Sequence, residues 1–394
     1  MKSPKLLFVA SRFPHPSRQG DAIRAYWFLH RISQSHQVTL VAPVAPDEVS
    51  VSIEAMQGVC DRFVPIPTRK SLASLNVVRP SALTMPLQVL YFCPRQLTGV
   101  VNEMVTSEKF DLAHVQLARM GPVIDVLGNT PCVIDFVDAL SLNMIRRAEQ
   151  ETCPKKLLFQ MEGKRMLRYE QELIDKTCFQ VVNSPVDKKA LGNKTTTHVV
   201  PNGVAIENYS YKEKSSVNQD IILSGNMFYF PNVDAAIFFA KEVFPLVREQ
   251  LPNARFLIVG ANPLKQVLEL GENRGVVVTG SVPDLKSYIQ GASVSVAPTR
   301  AGSGMQLKIL EAMALGTPVV ATSRAVGGAQ VEHEKHLMIA DTPEDFAQQV
   351  VRLLSDTALA LDIRRRGRTL VEKSFNWQCS ADIISTLYQS VLQR

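Results

Sequence analysis

A lysine and a glutamate three residues apart, Lys308 and Glu311, follow a loop that reads Arg300-Ala301-Gly302-Ser303-Gly304-Met305. An apolar, β-branched run ends at Ala297 before this loop, and Leu307, Ile309, Leu310 and Met313 take helical spacing after it. The stretch therefore predicts strand, glycine loop, helix. Two glycines flanking a serine let the backbone approach a ligand, and a helix starting just beyond them aims unpaired N–H groups and the positive end of its dipole at the same spot. Arg300 and Lys308 add cations there. A spacing of three puts Lys308 and Glu311 on one helix face, which suits an ammonium beside a diphosphate and a carboxylate accepting from a ribose diol. A strand, glycine loop and helix on their own are equally the mark of any Rossmann-like nucleotide fold.

The string that follows is more specific. Glu311-Ala312-Met313-Ala314-Leu315-Gly316-Thr317-Pro318-Val319-Val320 resembles the donor-nucleotide signature of GT-B glycosyltransferases of the family 4-like group, in which a glycine loop leads into a helix carrying Glu-Ala-Met-Ala-x-Gly-x-Pro-Val-Val. The wider family has a second glutamate eight residues before Glu311, where this chain has Ser303. Residues 302–314 instead resemble the Gly-x-Gly-x-Gln-x-Lys-x-Leu-Glu-Ala-Met-Ala branch found among sugar transferases of bacterial exopolysaccharide systems. The resemblance implies two Rossmann-like, doubly wound parallel-sheet domains facing a cleft, with a C-terminal helix crossing back to the N-terminal domain. It also implies a nucleoside-diphosphate sugar as donor substrate, a glycan or lipid-linked acceptor, no cofactor and no metal.

The frame around this motif comes from length and charge. A chain of 394 residues exceeds a single core and fits two domains. Residues 1–200 hold 24 Lys and Arg against 18 Asp and Glu, whereas residues 201–394 hold 19 of each, so the whole positive surplus lies in the first half. Nucleic acid calls for a denser basic stripe, and an anionic membrane surface or phosphorylated lipid is the partner class that this half suggests. No run of eighteen apolar residues occurs, and Met1-Lys2-Ser3-Pro4-Lys5 leads into a short strand, so a cytoplasmic protein is expected, peripheral at the inner face of the membrane. Six scattered cysteines without paired spacing suit reduced, mostly buried thiols.

Along the chain, apolar runs at 5–11, 37–42, 62–67, 111–117, 131–138, 179–184 and 197–200 alternate with helical or charged segments, the rhythm of a parallel α/β sheet. The first strand is followed by a loop ending at Gly20 and Asp21. Gly20 is a donor-side candidate by resemblance, and Asp21 a catalytic one whose alternative role is capping the next helix. Asp138 ends the fifth run, in a Val137-Asp138-Ala139-Leu140-Ser141 setting that resembles the Val-Asp-x-x-Ser of the exopolysaccharide branch. It is the leading catalytic or acceptor-binding residue, and its alternative is again a helix N-cap. His114, inside a strand, reads as packed and hydrogen-bonded. Residues 69–98, broken by three prolines, read as an acceptor-side or membrane-facing insertion or as a packed connection. Residues 141–175 predict a charged helix broken at Pro154, with Lys155, Lys156, Lys164, Arg165 and Arg168 forming either a solvated or a headgroup-binding face.

Pro201-Asn202-Gly203-Val204 is a turn by composition and resembles the junction between GT-B domains. The expected organisation is an acceptor-side domain over 1–200, a nucleotide-sugar domain over 201–375, and a crossover helix over 376–394. In the second domain the strand ending at Gly225 and Asn226 and the Gly280-Ser281-Val282 turn join the donor set. The wider family follows the first of these glycines with arginine and then lysine; Asn226-Met227-Phe228-Tyr229 stands here, which assigns phosphate neutralisation to Arg300 and Lys308. The expected donor site is thus Gly20, Gly225, Asn226, Val282, Arg300, Gly302, Ser303, Gly304, Met305, Lys308 and Glu311. Family resemblance implies retention of anomeric configuration, whereas Asp138 as general base implies inversion. A nucleotide-sugar epimerase or hydrolase, and a non-catalytic nucleotide- or glycan-binding protein, are the competing classes. The Arg364-Arg365-Arg366-Gly367-Arg368 cluster reads as a solvated helix face.

Overall fold

The apolar runs become parallel strands, those in the middle of each sheet buried on both faces. The computed structural model describes residues 3–15, 20–69, 84–211, 218–300 and 305–393, and the chain divides into two compact units after Pro201 and again after Asn376. In the first unit seven parallel strands, β1 (Lys5–Val9), β2 (Gln37–Val44), β3 (Arg62–Pro67), β4 (Leu112–Gln116), β5 (Cys132–Val137), β6 (Phe179–Val182) and β7 (Thr197–Val199), take the order β3-β2-β1-β4-β5-β6-β7. Leu6 to Val9, and every residue of β4 and β5, are buried. Such strands need helices on both sides of the sheet, which is why they read as apolar runs rather than as alternation. Helices α1 (Gly20–Ile32), α2 (Leu140–Glu149) and α3 (Lys155–Asp175) belong to this unit, with Pro154 between the last two.

In the second unit six parallel strands, β8 (Asp220–Ser224), β9 (Arg255–Val259), β10 (Val276–Gly280), β11 (Val294–Ala297), β12 (Val319–Ala321) and β13 (Met338–Ile339), take the order β10-β9-β8-β11-β12-β13. Strand order reverses beside β1 and β4 in one sheet and beside β8 and β11 in the other. Open α/β sheets bind ligands outside the carboxyl ends of the strands at these switch points.

The helical run after β8 is not one uniform helix. It comprises α4 (Phe230–Phe238), a π-turn over Phe239–Val243 and α5 (Phe244–Gln250). Pro245 lacks an N–H and would clash with an ordinary preceding turn, and the wider turn accommodates it. Of residues 69–98, positions 70–83 lie outside the described residues. Leu87–Phe92 is a short helix whose Val89 is buried in the first core, a packed connection.

The motif helix α6 (Leu307–Leu315) stops at Gly316, where φ is +75°. A Cβ at Gly316 would lie 2.5 Å from the Tyr211 ring, so the glycine of the Leu-Gly-Thr-Pro string is required by both conformation and space. The last two helices are α7 (Thr357–Ser374) and α8 (Trp377–Leu392). Helix α8 packs within the first unit: Trp377 meets Phe28 edge-on, Ser380 Oγ donates to the Pro201 carbonyl, and Tyr388 Oη lies 2.6 Å from His114 Nδ1. The basic cluster on α7 is not solvated throughout. Arg364 is buried, and Arg368 donates to the backbone carbonyls of Tyr209 and Ala314, tying α7 to the end of α6. No disulfide joins any of the six cysteines; Cys132 is buried, Cys153 exposed and the other four half-buried.

Candidate functional site

In the second unit the carboxyl ends of β8, β9, β10 and β11 form one edge, and glycines let their loops crowd together. A side chain at Gly260 would collide with the Gly225 carbonyl at 1.7 Å, and one at Gly225 with Asn232 Nδ2 at 2.7 Å. Both have left-handed φ, +156° and +146°. Asn226 shapes the loop after β8: its Oδ1 accepts from Phe228 N at 3.0 Å and its carbonyl from Asn232 Nδ2 at 3.0 Å. The other side-chain atom of Asn232, Oδ1, accepts from Lys308 Nζ at 2.7 Å. Asn232 thus joins the loop after β8 to the motif helix, a role its place beyond Pro231 did not announce.

Lys308 and Arg300, expected as a pair of phosphate-binding cations, are held differently. The Arg300 guanidinium forks onto Asp234 at 2.7 and 3.1 Å, lies 3.7 Å from Glu242 and stacks over Phe238 at 4.5 Å. Its charge is therefore matched by two carboxylates. Lys308 touches a neutral amide, and loss of hydration lowers its pKa to about 8. Among the described residues Lys308 has no acid in contact.

Glu311 lies on the same face of α6. Its Oε1 accepts from Tyr209 Oη at 2.9 Å. Burial raises its pKa, opposed by the Tyr209 bond and by the charges of Lys308 and Lys286. The N-terminus of α6 has no side-chain cap because Gln306 Oε1 accepts instead from Thr299 Oγ1 at 3.1 Å. Ile309 N donates to the Gln306 carbonyl at 3.0 Å, and among the described residues the N–H groups of Leu307 and Lys308 are the ones left to an anion. Gly302, Ser303 and Gly304 lie outside the described residues. The Met305 side chain is buried in the core of this unit, so only its backbone can serve a ligand; Val282 packs partly buried against the same core. Gly280, at the end of β10 with φ +70°, has open space where a Cβ would stand.

In the first unit the carboxyl edge carries the other expected residues. Asp138 follows β5 through a tight turn in which Asp138 N donates to the Phe136 carbonyl at 2.7 Å across Val137, whose φ is +60°. A β-branched residue at positive φ is strained, at a cost on the order of 1–3 kcal/mol. The turn is held by Val137 N on Asp135 Oδ1 at 2.9 Å and by Asn183 N on the Val137 carbonyl at 2.8 Å. It lifts Asp138 out of the strand, where Oδ1 accepts from Asn183 Nδ2 at 2.7 Å. Asp138 is not the N-cap of α2; Ala139 holds that position and Asp187 Oδ1 receives its N–H. Burial first, and then the neighbouring carboxylate of Asp187, raise the Asp138 pKa well above the ordinary carboxylate range. A raised pKa makes a carboxylate a stronger proton acceptor than an ordinary aspartate.

Asp21 stands one residue inside α1 rather than capping it, and its carboxylate forms an ion pair with Arg12, Oδ2 lying 2.8 Å from Nε. Gly20, the first residue of α1, is exposed. Gln116, at the end of β4, donates to the Asp21 carbonyl at 2.9 Å. Among the described residues, Gln116 Oε1 and Asn183 Oδ1 are buried acceptors that have no hydrogen-bond partner. Beneath them Arg24 and Asp135, both fully buried, pair at 2.6 Å, and Arg24 also donates to the Val200 carbonyl. Arg24, Gln116, Asn183 and Asp187 went unread in the sequence because their partners are distant in the chain.

Residues 218–356 match the family described as "Glycosyl transferases group 1". A Klebsiella pneumoniae protein described as an uncharacterized 44.6 kDa protein in the cps region is 20% identical over 98% of this chain and 99% of its own. The phosphatidyl-myo-inositol mannosyltransferase of Mycobacterium leprae is 22% identical over 91% of this chain and 89% of its own. Among solved structures, Anabaena HepE in complex with UDP superposes with a TM-score of 0.68 at 16% identity, over 98% of this chain and 100% of that one.

Proposed function

Because the chain is a GT-B glycosyltransferase with a group 1 domain over residues 218–356, we propose that it moves a sugar from a nucleoside-diphosphate donor to a glycan or lipid-linked acceptor in bacterial polysaccharide synthesis, without a metal. The observation that carries the donor half is the face of α6, where Lys308, with no acid in contact among the described residues, and Glu311 stand behind a helix N-terminus that the Gln306 side chain does not cap. Positive charge there stabilises the departing diphosphate, where negative charge develops as the glycosidic bond breaks. In the first unit Asp138 takes the proton of the acceptor hydroxyl, with Gln116 and Asn183 as neighbouring acceptors. UDP in the HepE structure and the lipid substrate in the mannosyltransferase's name support this choice of donor and acceptor classes. The test is release of nucleoside diphosphate from UDP-, GDP-, ADP- and dTDP-sugars with and without a polyprenyl-linked oligosaccharide. Release that needs the acceptor is the expected result. Release or isomerisation from donor alone would mean a hydrolase or epimerase, and tight binding without turnover a binding protein.

Lys308 gives this reading a pH dependence. A lysine binds phosphate as the ammonium, and burial brings its pKa down to about 8. Nucleoside diphosphate affinity is therefore expected to fall as pH rises through that value, and Lys308→Met to be weak and pH-independent there. A wild-type affinity that stays level from about pH 7 to about pH 9 would remove the lysine from the contact.

The same reading extends to a membrane-held acceptor. On α3, Leu157 is 63% exposed, Leu158 47% and Met161 46%. Lys155, Lys156, Lys164 and Arg168 have no carboxylate partner among the described residues, whereas Arg165 pairs with Glu162 at 2.9 Å. Apolar side chains flanked by unpaired cations suit an anionic lipid surface, each cation contributing about 1 kcal/mol. No described helix is long and apolar enough to cross a membrane. Co-sedimentation with anionic vesicles at low salt is expected, to be lost at high salt, on neutral vesicles, and when Lys155, Lys156, Lys164 and Arg168 become Gln. Equal binding by that variant would favour a soluble acceptor.

A further inference from the structure

We infer that Tyr209 is a positioning residue for donor recognition: its hydroxyl fixes the Glu311 carboxylate so that the remaining lone pairs meet the ribose diol. The inference rests on the donor reading above. Tyr209 lies just beyond the turn at Pro201-Asn202-Gly203, 102 residues before Glu311, outside any nucleotide motif. Its side chain reaches Glu311 because the segment around it is pinned by two cations, Arg368 and Lys286. Arg368 donates to its carbonyl at 2.7 Å, Lys286 Nζ stands 4.7 Å from its ring centroid, and the same ammonium donates to the Asn208 carbonyl at 2.7 Å. The hydroxyl then donates to Glu311 Oε1 at 2.9 Å. An ionised carboxylate offers about four acceptor positions, so one bond from tyrosine orients the group and leaves both oxygens able to accept from a cis-diol. A half-buried carboxylate without that bond is free to rotate toward Lys308 or solvent, and it ionises less readily.

The probes are UDP and GDP, each beside its 2′,3′-dideoxy analogue, titrated calorimetrically into wild type, Tyr209→Phe, Glu311→Gln and the double variant. Tyr209→Phe keeps the ring beside Lys286 and the main-chain bond from Arg368, and its unfolding midpoint without nucleotide checks the fold. The expected result is about tenfold weaker ribonucleotide binding by Tyr209→Phe, the low end for a bond to a charged group. Dideoxynucleotide affinity stays unchanged, and adding Tyr209→Phe to Glu311→Gln has no further effect. Equal weakening toward both nucleotides, or toward neither, would overturn the inference and return Tyr209 to packing. If Glu311→Gln itself leaves the preference for ribose intact, it is the donor reading that fails. If only Tyr209→Phe leaves it intact, the donor reading stands and the role of Tyr209 falls.

Discussion

Asp138→Asn is expected to slow sugar transfer by roughly a hundredfold or more while nucleoside diphosphate binding stays as in wild type, because proton transfer by a positioned side chain is worth about that much. The structure supplies the means. A strained turn at Val137 sets the carboxylate at the carboxyl edge of β5, Asn183 holds one of its oxygens at 2.7 Å, and burial with the nearby Asp187 raises its pKa. A carboxylate with its pKa raised accepts a proton more readily than an ordinary aspartate. The rate is accordingly expected to rise with pH through that raised pKa and to lose this limb in the variant. Asparagine is nearly isosteric and leaves the Val137 turn, which is made by the backbone and by Asp135, in place. A variant that unfolds, or one that is folded and fully active, would leave Asp138 a structural group at the end of a strand.

Glu311→Gln is expected to weaken nucleoside diphosphate binding by about 1.5–3 kcal/mol, the range for hydrogen bonds to a charged group. Among the described residues the only side chain bonded to this carboxylate is Tyr209, at one oxygen. Glutamine keeps the shape but replaces one acceptor oxygen by a donor, so it cannot accept from both hydroxyls of a ribose. Unchanged affinity in a folded variant would take Glu311 out of the site.

What could be read from the sequence was whatever is local in it. Buried parallel strands announce themselves as apolar runs such as Leu6 to Val9 and Cys132 to Val137, and helical spacing after a glycine loop announces α6. The positions of Lys308 and Glu311 on one face follow from their spacing alone. Their partners do not: Asn232 is 76 residues from Lys308, and Tyr209 is 102 from Glu311. For the same reason Arg300 read as a free cation although Asp234, 66 residues earlier, already holds it. Asp138 was visible as an acid ending a buried run, but Asn183 and the strained Val137 beneath it are tertiary facts. Arg368 read as solvated because it lies on a late helix, yet it reaches the carbonyls of Tyr209 and Ala314. Gly316 belongs to a recognisable string, and its physical reason, the Tyr211 ring against it, came only with the fold.

The division of labour between the two units is tested most directly by calorimetric titration of UDP, GDP, ADP and dTDP into wild type, Asp138→Asn and Glu311→Gln. The account predicts that at least one of these nucleotides binds wild type and Asp138→Asn alike and binds Glu311→Gln tenfold or more weakly, about 1.4 kcal/mol or greater. Binding of none of them to the wild type, or binding abolished by Asp138→Asn and untouched by Glu311→Gln, would contradict it.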